Sequence, residues 1–171
     1  IPATRIRVPN KTYAFEDKVY GQTSQNLSKL CGDFIVQRAD EVFAYQLAVV
    51  VDDADMGVTE VVRGSDLLSS TPRQLYLQDV LGFSHPIYAH LPLLVAPDGR
   101  RLSKRNHDLD LGVLRDQGKT PEEILGFLAY CIGLAEKEEP LSAVQVANRF
   151  SWDVLRAHRK NVVVEHFSHV L

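Results

Sequence analysis

Arg101-Leu102-Ser103-Lys104-Arg105 places three cations and one small hydroxyl within five residues. Such a cluster can hold a polyanion, above all a chain of phosphates. Guanidinium groups supply planar forks, an ammonium supplies a point charge, and the hydroxyl adds a hydrogen bond. On composition alone a solvated basic loop is the plainer reading. Arg63 is the second candidate. It follows an apolar run and can serve as a bidentate partner for a carboxylate or as a structural ion pair with Asp52, Asp53 or Asp66. Tyr45 can present a hydroxyl to a ligand or act as a core aromatic. Thr71 and Arg73 stand where a helix begins, so free N–H groups and a cation can meet a phosphate there; an N-cap and a surface ion pair are the plainer alternative. Arg5, Arg7 and Lys11 can touch an RNA backbone or line a solvated edge strand.

The elements that must position these groups follow from periodicity. Residues 1–22 alternate and read as short strands joined by turns. Phe34-Ile35-Val36 reads as another strand. The run at 43–53 is apolar with polar breaks and fits either a buried strand or a helix. Residues 58–64 read as a buried strand ending at Gly64. Thr71-Pro72 opens a helix with Thr71 as N-cap; its apolar face is Leu75, Leu77, Val80 and Leu81, and Gly82 stops it. Residues 91–96 form a strand, followed by the turn signal Pro97-Asp98-Gly99. Strands alternating with helices predict an α/β layer with parallel strands. Beyond residue 105 the pattern turns helical. Thr120-Pro121-Glu122-Glu123 is a capping box leading into 124–134, Ser142 begins an amphipathic stretch, and 152–159 can form a third helix.

Composition bounds the partners. The 171 residues are 45% hydrophobic and 24% charged, with a net charge of −3, which fits a globular domain with an ordinary core. A protein-wide basic footprint is absent, so any nucleic-acid contact must be a local patch. No apolar run approaches the length of a membrane span. Cys31 and Cys131 form neither a CxxC pair nor a zinc spacing, so reduced thiols in the cytoplasm are expected. His166 and His169 have no carboxylate or cysteine cluster beside them, and no metal site is assigned.

Five blocks then occur in order: the run 43–53 ending in Asp52-Asp53; residues 57–64 ending in Arg63-Gly64; Ser70-Thr71-Pro72-Arg73-Gln74; Ala89-His90-Leu91-Pro92; and Leu102-Ser103-Lys104-Arg105. Together they resemble the second half of the catalytic domain of a class I glutamyl-tRNA synthetase. The resemblance covers nearly all of residues 5–135. Within the family, the glutamyl-queuosine tRNA(Asp) branch looks most similar. Ser65-Asp66-Leu67-Leu68 and Asn106-His107 match that branch, and the tail after Arg105 is too short for a large helical anticodon-binding region.

The resemblance implies a Rossmann-type α/β fold. It implies the end of a β-rich acceptor-binding insertion at 1–25, the second catalytic half at 26–105, and a helical stem-contact-like subdomain at 106–171. It implies that Arg63 and Tyr45 bind L-glutamate and that Lys104 and Ser103 act at the phosphates of ATP. Arg101 and Leu91 complete the ATP contacts, with backbone groups around His90-Leu91-Pro92 meeting the adenine. Lys104 matches the second lysine of the KMSKS-type loop. An ammonium closing on the leaving pyrophosphate stabilises the transition state more than the ground state. Arg101 departs from the usual lysine: charge is kept, geometry is not. His90 is not expected to be a general base, because adenylation needs none.

No HIGH-type motif, the family's other signature, occurs in the 171 residues, and neither does the zinc-binding cysteine cluster of many queuosine-type relatives. The expectation is a fragment whose N-terminal half is absent, carrying any zinc, and an isolated chain that is inactive. The expected partners are L-glutamate, ATP with Mg2+ as substrate, and a tRNA, either tRNA(Asp) with queuosine or tRNA(Glu), with no membrane and a monomeric state. A non-catalytic half-domain that binds tRNA or a partner protein is the alternative outside enzymology.

Overall fold

The computed structural model of the chain describes residues 2–102 and 111–164. These fall into two compact units, Ile1–His90 and Leu91–Leu171.

The first unit is mixed α/β. Strand β1 (Thr4–Ile6) is followed by β2 (Thr12–Asp17) and β3 (Gly21–Asn26), which form an antiparallel hairpin. A single helical turn, α1 (Leu27–Leu30), is capped by the Asn26 side chain and leads to β4 (Phe34–Gln37), which pairs antiparallel with β1. The ambiguous run at 43–53 resolves as a helix, α2 (Tyr45–Asp55). The run is long enough for three helical turns, and only Val50 is buried in it, so a strand covered on both faces is ruled out. Strand β5 (Glu60–Gly64) has exposed Glu60 and Val62, so it is half-buried rather than buried. A 3-10 segment (Ser65–Ser70) runs straight into α3 (Thr71–Leu81), and β6 (Ile87–Leu91) follows, with all but its last residue in this unit. The main sheet has the order β3-β2-β6-β5, with β2 and β6 parallel and Asp17 opposite Tyr88.

Helix α3 corrects two expectations. Ser70, not Thr71, occupies the N-cap; Thr71 is the first helical residue and its N–H already donates to the Leu68 carbonyl. The 3-10 segment thus consumes donors that a phosphate would need. The buried face is also a different stripe. Val80 and Leu81 are 55% and 41% exposed, whereas Gln74 and Gln78 are buried beside Leu75 and Leu77. These glutamines are tolerated inside because they are bonded: Gln74 Nε2 donates to Gln46 Oε1 at 2.9 Å, and Gln78 Nε2 to the Tyr88 hydroxyl at 3.3 Å. Gly82, at φ 73°, ends the helix in the left-handed conformation, as its position predicts. Leu75 joins Tyr13, Leu27 and Tyr88 in one core cluster, while Leu77 joins Phe34 and Val50 in another.

The second unit opens with β7 (Leu94–Val95), a shorter strand than expected because Pro92 breaks the run after β6. The Pro97-Asp98-Gly99 turn is present: Gly99 has φ 80°, the Ala96 N–H donates to the Arg100 carbonyl, and Arg101 bridges back to Val95. Helices α4 (Leu111–Asp116), α5 (Pro121–Cys131), α6 (Ala143–Arg149) and α7 (Trp152–Ala157) follow. Both expected capping boxes are formed, Thr120 with Glu123 and Ser142 with Gln145. Helix α5 packs Ala129 against Leu134, Ala135 and Leu141. A short strand that the pattern does not announce, β8 (Val162–Val163), pairs parallel with β7.

Candidate functional site

The site in the first unit is built where several elements end together. Arg63 is the penultimate residue of β5, His90 the penultimate residue of β6, and Asp17 the last residue of β2. Parallel strands β2 and β6 therefore end on one side, where ligands characteristically bind in α/β sheets. Thr71 stands at the start of α3 and Tyr45 at the start of α2. The α2 start is tied to α3 through Gln46, which accepts from Gln74 and donates to the Ser70 hydroxyl at 3.1 Å.

Arg63 is half-buried and lies with Cζ 5.3 Å from the centre of the Tyr88 ring. Its Nε donates to His90 Nε2 at 3.0 Å and one Nη donates to the Thr71 hydroxyl at 2.9 Å. Among the described residues these hydrogen-bond partners are an imidazole and an alcohol. The ion pair with Asp52, Asp53 or Asp66 is not among its close contacts. Burial pulls the guanidinium below its ordinary pKa, and the surroundings of Tyr88, Tyr45, Asp53 and Asp66 oppose that shift. Tyr45 and Arg63 thus share one electrostatic neighbourhood. Tyr45 is 54% exposed, so its ring is not a core aromatic.

His90 is fully buried and links Arg63 to Asp17. Its Nδ1 lies 2.6 Å from Asp17 Oδ2, and its backbone N–H donates to the same oxygen at 3.1 Å. Asp17 Oδ1 accepts the N–H groups of Val19 and Tyr20 at 2.9 Å each, which fixes the β2–β3 turn. Burial alone would raise the Asp17 pKa. The bonds from His90, Tyr20 and Val19 outweigh it and hold the carboxyl below its ordinary value. The donors dictate the tautomer: a carboxylate accepts only and a guanidinium donates only, so the His90 proton sits on Nδ1 and the lone pair on Nε2. Tyr88 stacks on the His90 ring at 6.1 Å, and Phe15 packs beside both.

Leu91 and Arg101 lie in the second unit, Leu91 half-buried at the end of β6 and Arg101 exposed opposite Val95. Ser103 and Lys104 lie outside the described residues. Arg5 donates to the Asp33 carbonyl, and Lys11 pairs with Asp79 while lying over the Tyr13 ring, so both have local structural partners. Among the described residues no cluster of three His, Cys, Asp or Glu side chains is placed to hold a metal ion. None of the described helices is long and apolar enough to cross a membrane.

Sequence reasoning assigned no role to Asp17 and weighed the His90 ring only as a general base, which it set aside. The faint signals were an aspartate directly ahead of a turn, which suits an Asx turn, and aromatic rings two apart on one strand face.

The fold is that of a class I aminoacyl-tRNA synthetase catalytic domain. Residues 2–168 match the family described as tRNA synthetases class I (E and Q), catalytic domain, and the chain belongs to that family. A Geobacter sulfurreducens protein named glutamyl-Q tRNA(Asp) synthetase is 57% identical over 112 residues, covering 66% of this chain and 36% of that protein. A Pseudomonas putida protein of the same name is 59% identical over 102 residues, covering 60% and 35%. The chain thus spans about a third of the length of these curated relatives. A solved glutamate tRNA ligase from Elizabethkingia meningosepticum, in complex with its amino acid, superposes with a TM-score of 0.76 at 24% identity over 93% of this chain and 35% of that one. A second, from Elizabethkingia anophelis, does so at the same score over 94% and 36%. The α/β fold class, expected from the alternation of strands and helices, and the likeness to the queuosine branch, expected from Ser65-Asp66-Leu67-Leu68 and Asn106-His107, are thereby borne out.

Proposed function

We propose that this chain is the second half of the catalytic domain of a ligase that activates L-glutamate with ATP and passes it to tRNA, with queuosine of tRNA(Asp) as the acceptor. The observation that carries the reading is Arg63: a half-buried guanidinium at a strand end, bonded to the His90 imidazole and the Thr71 hydroxyl, with Tyr45 in its electrostatic surroundings. A planar cation so held suits a carboxylate of the amino acid. Tyr45 offers its hydroxyl to the same ligand. The names of the curated relatives support the choice of glutamate and of the queuosine acceptor.

In the proposed reaction a glutamate carboxylate oxygen attacks the α-phosphorus of ATP. The acyl adenylate forms and pyrophosphate leaves; an acceptor hydroxyl then displaces AMP. ATP enters with Mg2+ as substrate. Lys104, with Ser103 and Arg101, neutralises charge on the phosphate oxygens, and backbone groups at Leu91 meet the adenine. Positioning and charge supply the effect, with little covalent chemistry for the chain. The reading includes a cytoplasmic monomer, the division 1–25, 26–105 and 106–171, and a HIGH-bearing half that the isolated chain needs for activity; zinc, where used, belongs to that half.

The test supplies the full-length gene product with labelled glutamate, ATP and tRNA(Asp) with or without queuosine, or tRNA(Glu). Incorporation that requires queuosine supports the proposal. Labelling of tRNA(Glu) makes the protein an ordinary glutamyl-tRNA synthetase. No incorporation into any of them, and no glutamate-dependent pyrophosphate exchange, favours a non-catalytic binding module. Lys104→Ala should slow adenylate formation with modest change in glutamate affinity, and Arg63→Ala should chiefly weaken glutamate binding.

A further inference from the structure

We propose that Asp17, His90 and Thr71 form a buried cradle whose task is to orient Arg63 for its ligand. The inference rests on the reading of Arg63 as a carboxylate-binding group and adds the residues that act through it. An arginine side chain has several rotatable bonds, and a ligand that must freeze them loses affinity. Here the freezing is done in advance. Nε is fixed by His90, one Nη by Thr71, and the guanidinium face by Tyr88 at 5.3 Å. Nη1 takes part in neither bond, so part of the fork remains for a carboxylate.

The cradle is directional. Asp17 accepts from His90 Nδ1, which leaves Nε2 as an acceptor aimed at Arg63. The Asp17 carboxylate is itself held by the two turn N–H groups and the His90 N–H, so it cannot swing away. Tyr88 and Phe15 restrict the imidazole. Thr71 Oγ1 accepts from Arg63 while lying 3.5 Å from the Leu67 carbonyl. Asp17 and Thr71 are 1% and 0% exposed and His90 0%, so none of the three reaches a ligand itself. They are positioning residues.

Asp17→Asn tests the direction. Its amide oxygen can keep the turn bonds, while its NH2 group donates to His90 Nδ1. That drives the proton to Nε2, where it opposes the Arg63 Nε–H. In the full-length gene product, glutamate-dependent pyrophosphate exchange should show the KM for glutamate raised at least tenfold, with the KM for ATP within twofold of wild type. Nitrogen NMR of His90 should show the proton moved from Nδ1 to Nε2. Thr71→Val, which is nearly isosteric, should raise the glutamate KM severalfold, and Thr71→Ser should restore it. Arg63→Ala is the control for the underlying reading. If it leaves the glutamate KM unchanged, or if wild type shows no exchange, the carboxylate role fails and the cradle with it. If Arg63→Ala raises that KM but Thr71→Val and a folded Asp17→Asn leave it within twofold, the cradle alone is overturned. If Asp17→Asn does not fold, the Thr71 pair decides on the same criterion.

Discussion

Nδ1 of His90 and Oδ2 of Asp17 lie 2.6 Å apart, with both side chains withdrawn from water. A carboxylate buried this completely is tolerable only because four N–H groups converge on it: the imidazole, its own backbone amide, and those of Val19 and Tyr20. Asp17→Ala strands all of them. We expect a loss of roughly 3 kcal/mol in unfolding free energy, read by urea denaturation. A loss below about 1 kcal/mol would mean that water replaces the carboxylate.

The same pair sets a pH dependence. The folded Asp17 pKa is held below its ordinary value of 3.8. A depressed carboxylate contributes stability that is fully present above the unfolded pKa and is lost as the pH falls through the folded one. Stability should therefore drop as the pH falls below about 4, and Asp17→Asn should reduce that slope. Equal slopes in wild type and variant, measured by urea melts from neutral to acid, would contradict the assignment.

Arg63→Lys keeps the charge but loses the fork. One ammonium cannot bond His90 Nε2, the Thr71 hydroxyl and a ligand carboxylate in the same geometry. The glutamate KM of the full-length protein should rise about tenfold or more, against an unchanged KM for ATP. Wild-type values would show that charge alone suffices.

Gly126 in α5 permits a close approach of backbone. A Cβ added there would run into the Glu139 carbonyl, just where Leu141 N–H bonds the Glu122 carbonyl at 2.9 Å. Gly126→Ala should therefore destabilise the second unit by about 2 kcal/mol, despite alanine's better helix propensity. Thermal unfolding with a probe in that unit, the Trp152 fluorescence, reads it. A rise in melting temperature would show that the crossing can yield.

The α5 cap is a smaller term. Thr120 Oγ1 accepts from the Glu123 N–H at 3.2 Å, and Glu123 returns a carboxylate to the Thr120 N–H at 2.7 Å. Thr120→Ala should cost about 1 kcal/mol, and Thr120→Ser should recover most of it in the same unfolding assay.

The parts of this molecule that sequence exposes are those whose signal is local. Thr120-Pro121-Glu122-Glu123 carries its capping box in four adjacent residues, and Gly82 marks its helix end because few other residues accept a positive φ. Arg63 and Tyr45 are ordinary residue types, singled out only through the order of blocks around them. The Asp17–His90 pair spans 73 positions, and nothing near either residue points to the other. Helix α3 misled for a physical reason: apolar type was taken for burial, whereas Gln74 and Gln78 earn their interior places by bonding. Strand β8 is only Val162–Val163, too short for any periodicity to register, and it exists because β7 offers it an edge.

That small strand has a consequence. Val95 accepts the Val164 N–H at 2.8 Å on one flank and faces Arg101 across the tight turn on the other. The turn that carries Arg100 and Arg101 is therefore braced by backbone arriving from 68 positions downstream of Leu93. Trimming the protein just ahead of Asn161, which also clasps the Leu93 N–H at 3.0 Å, would unzip that brace. An edit far along the chain would in this way slacken the footing of Arg101.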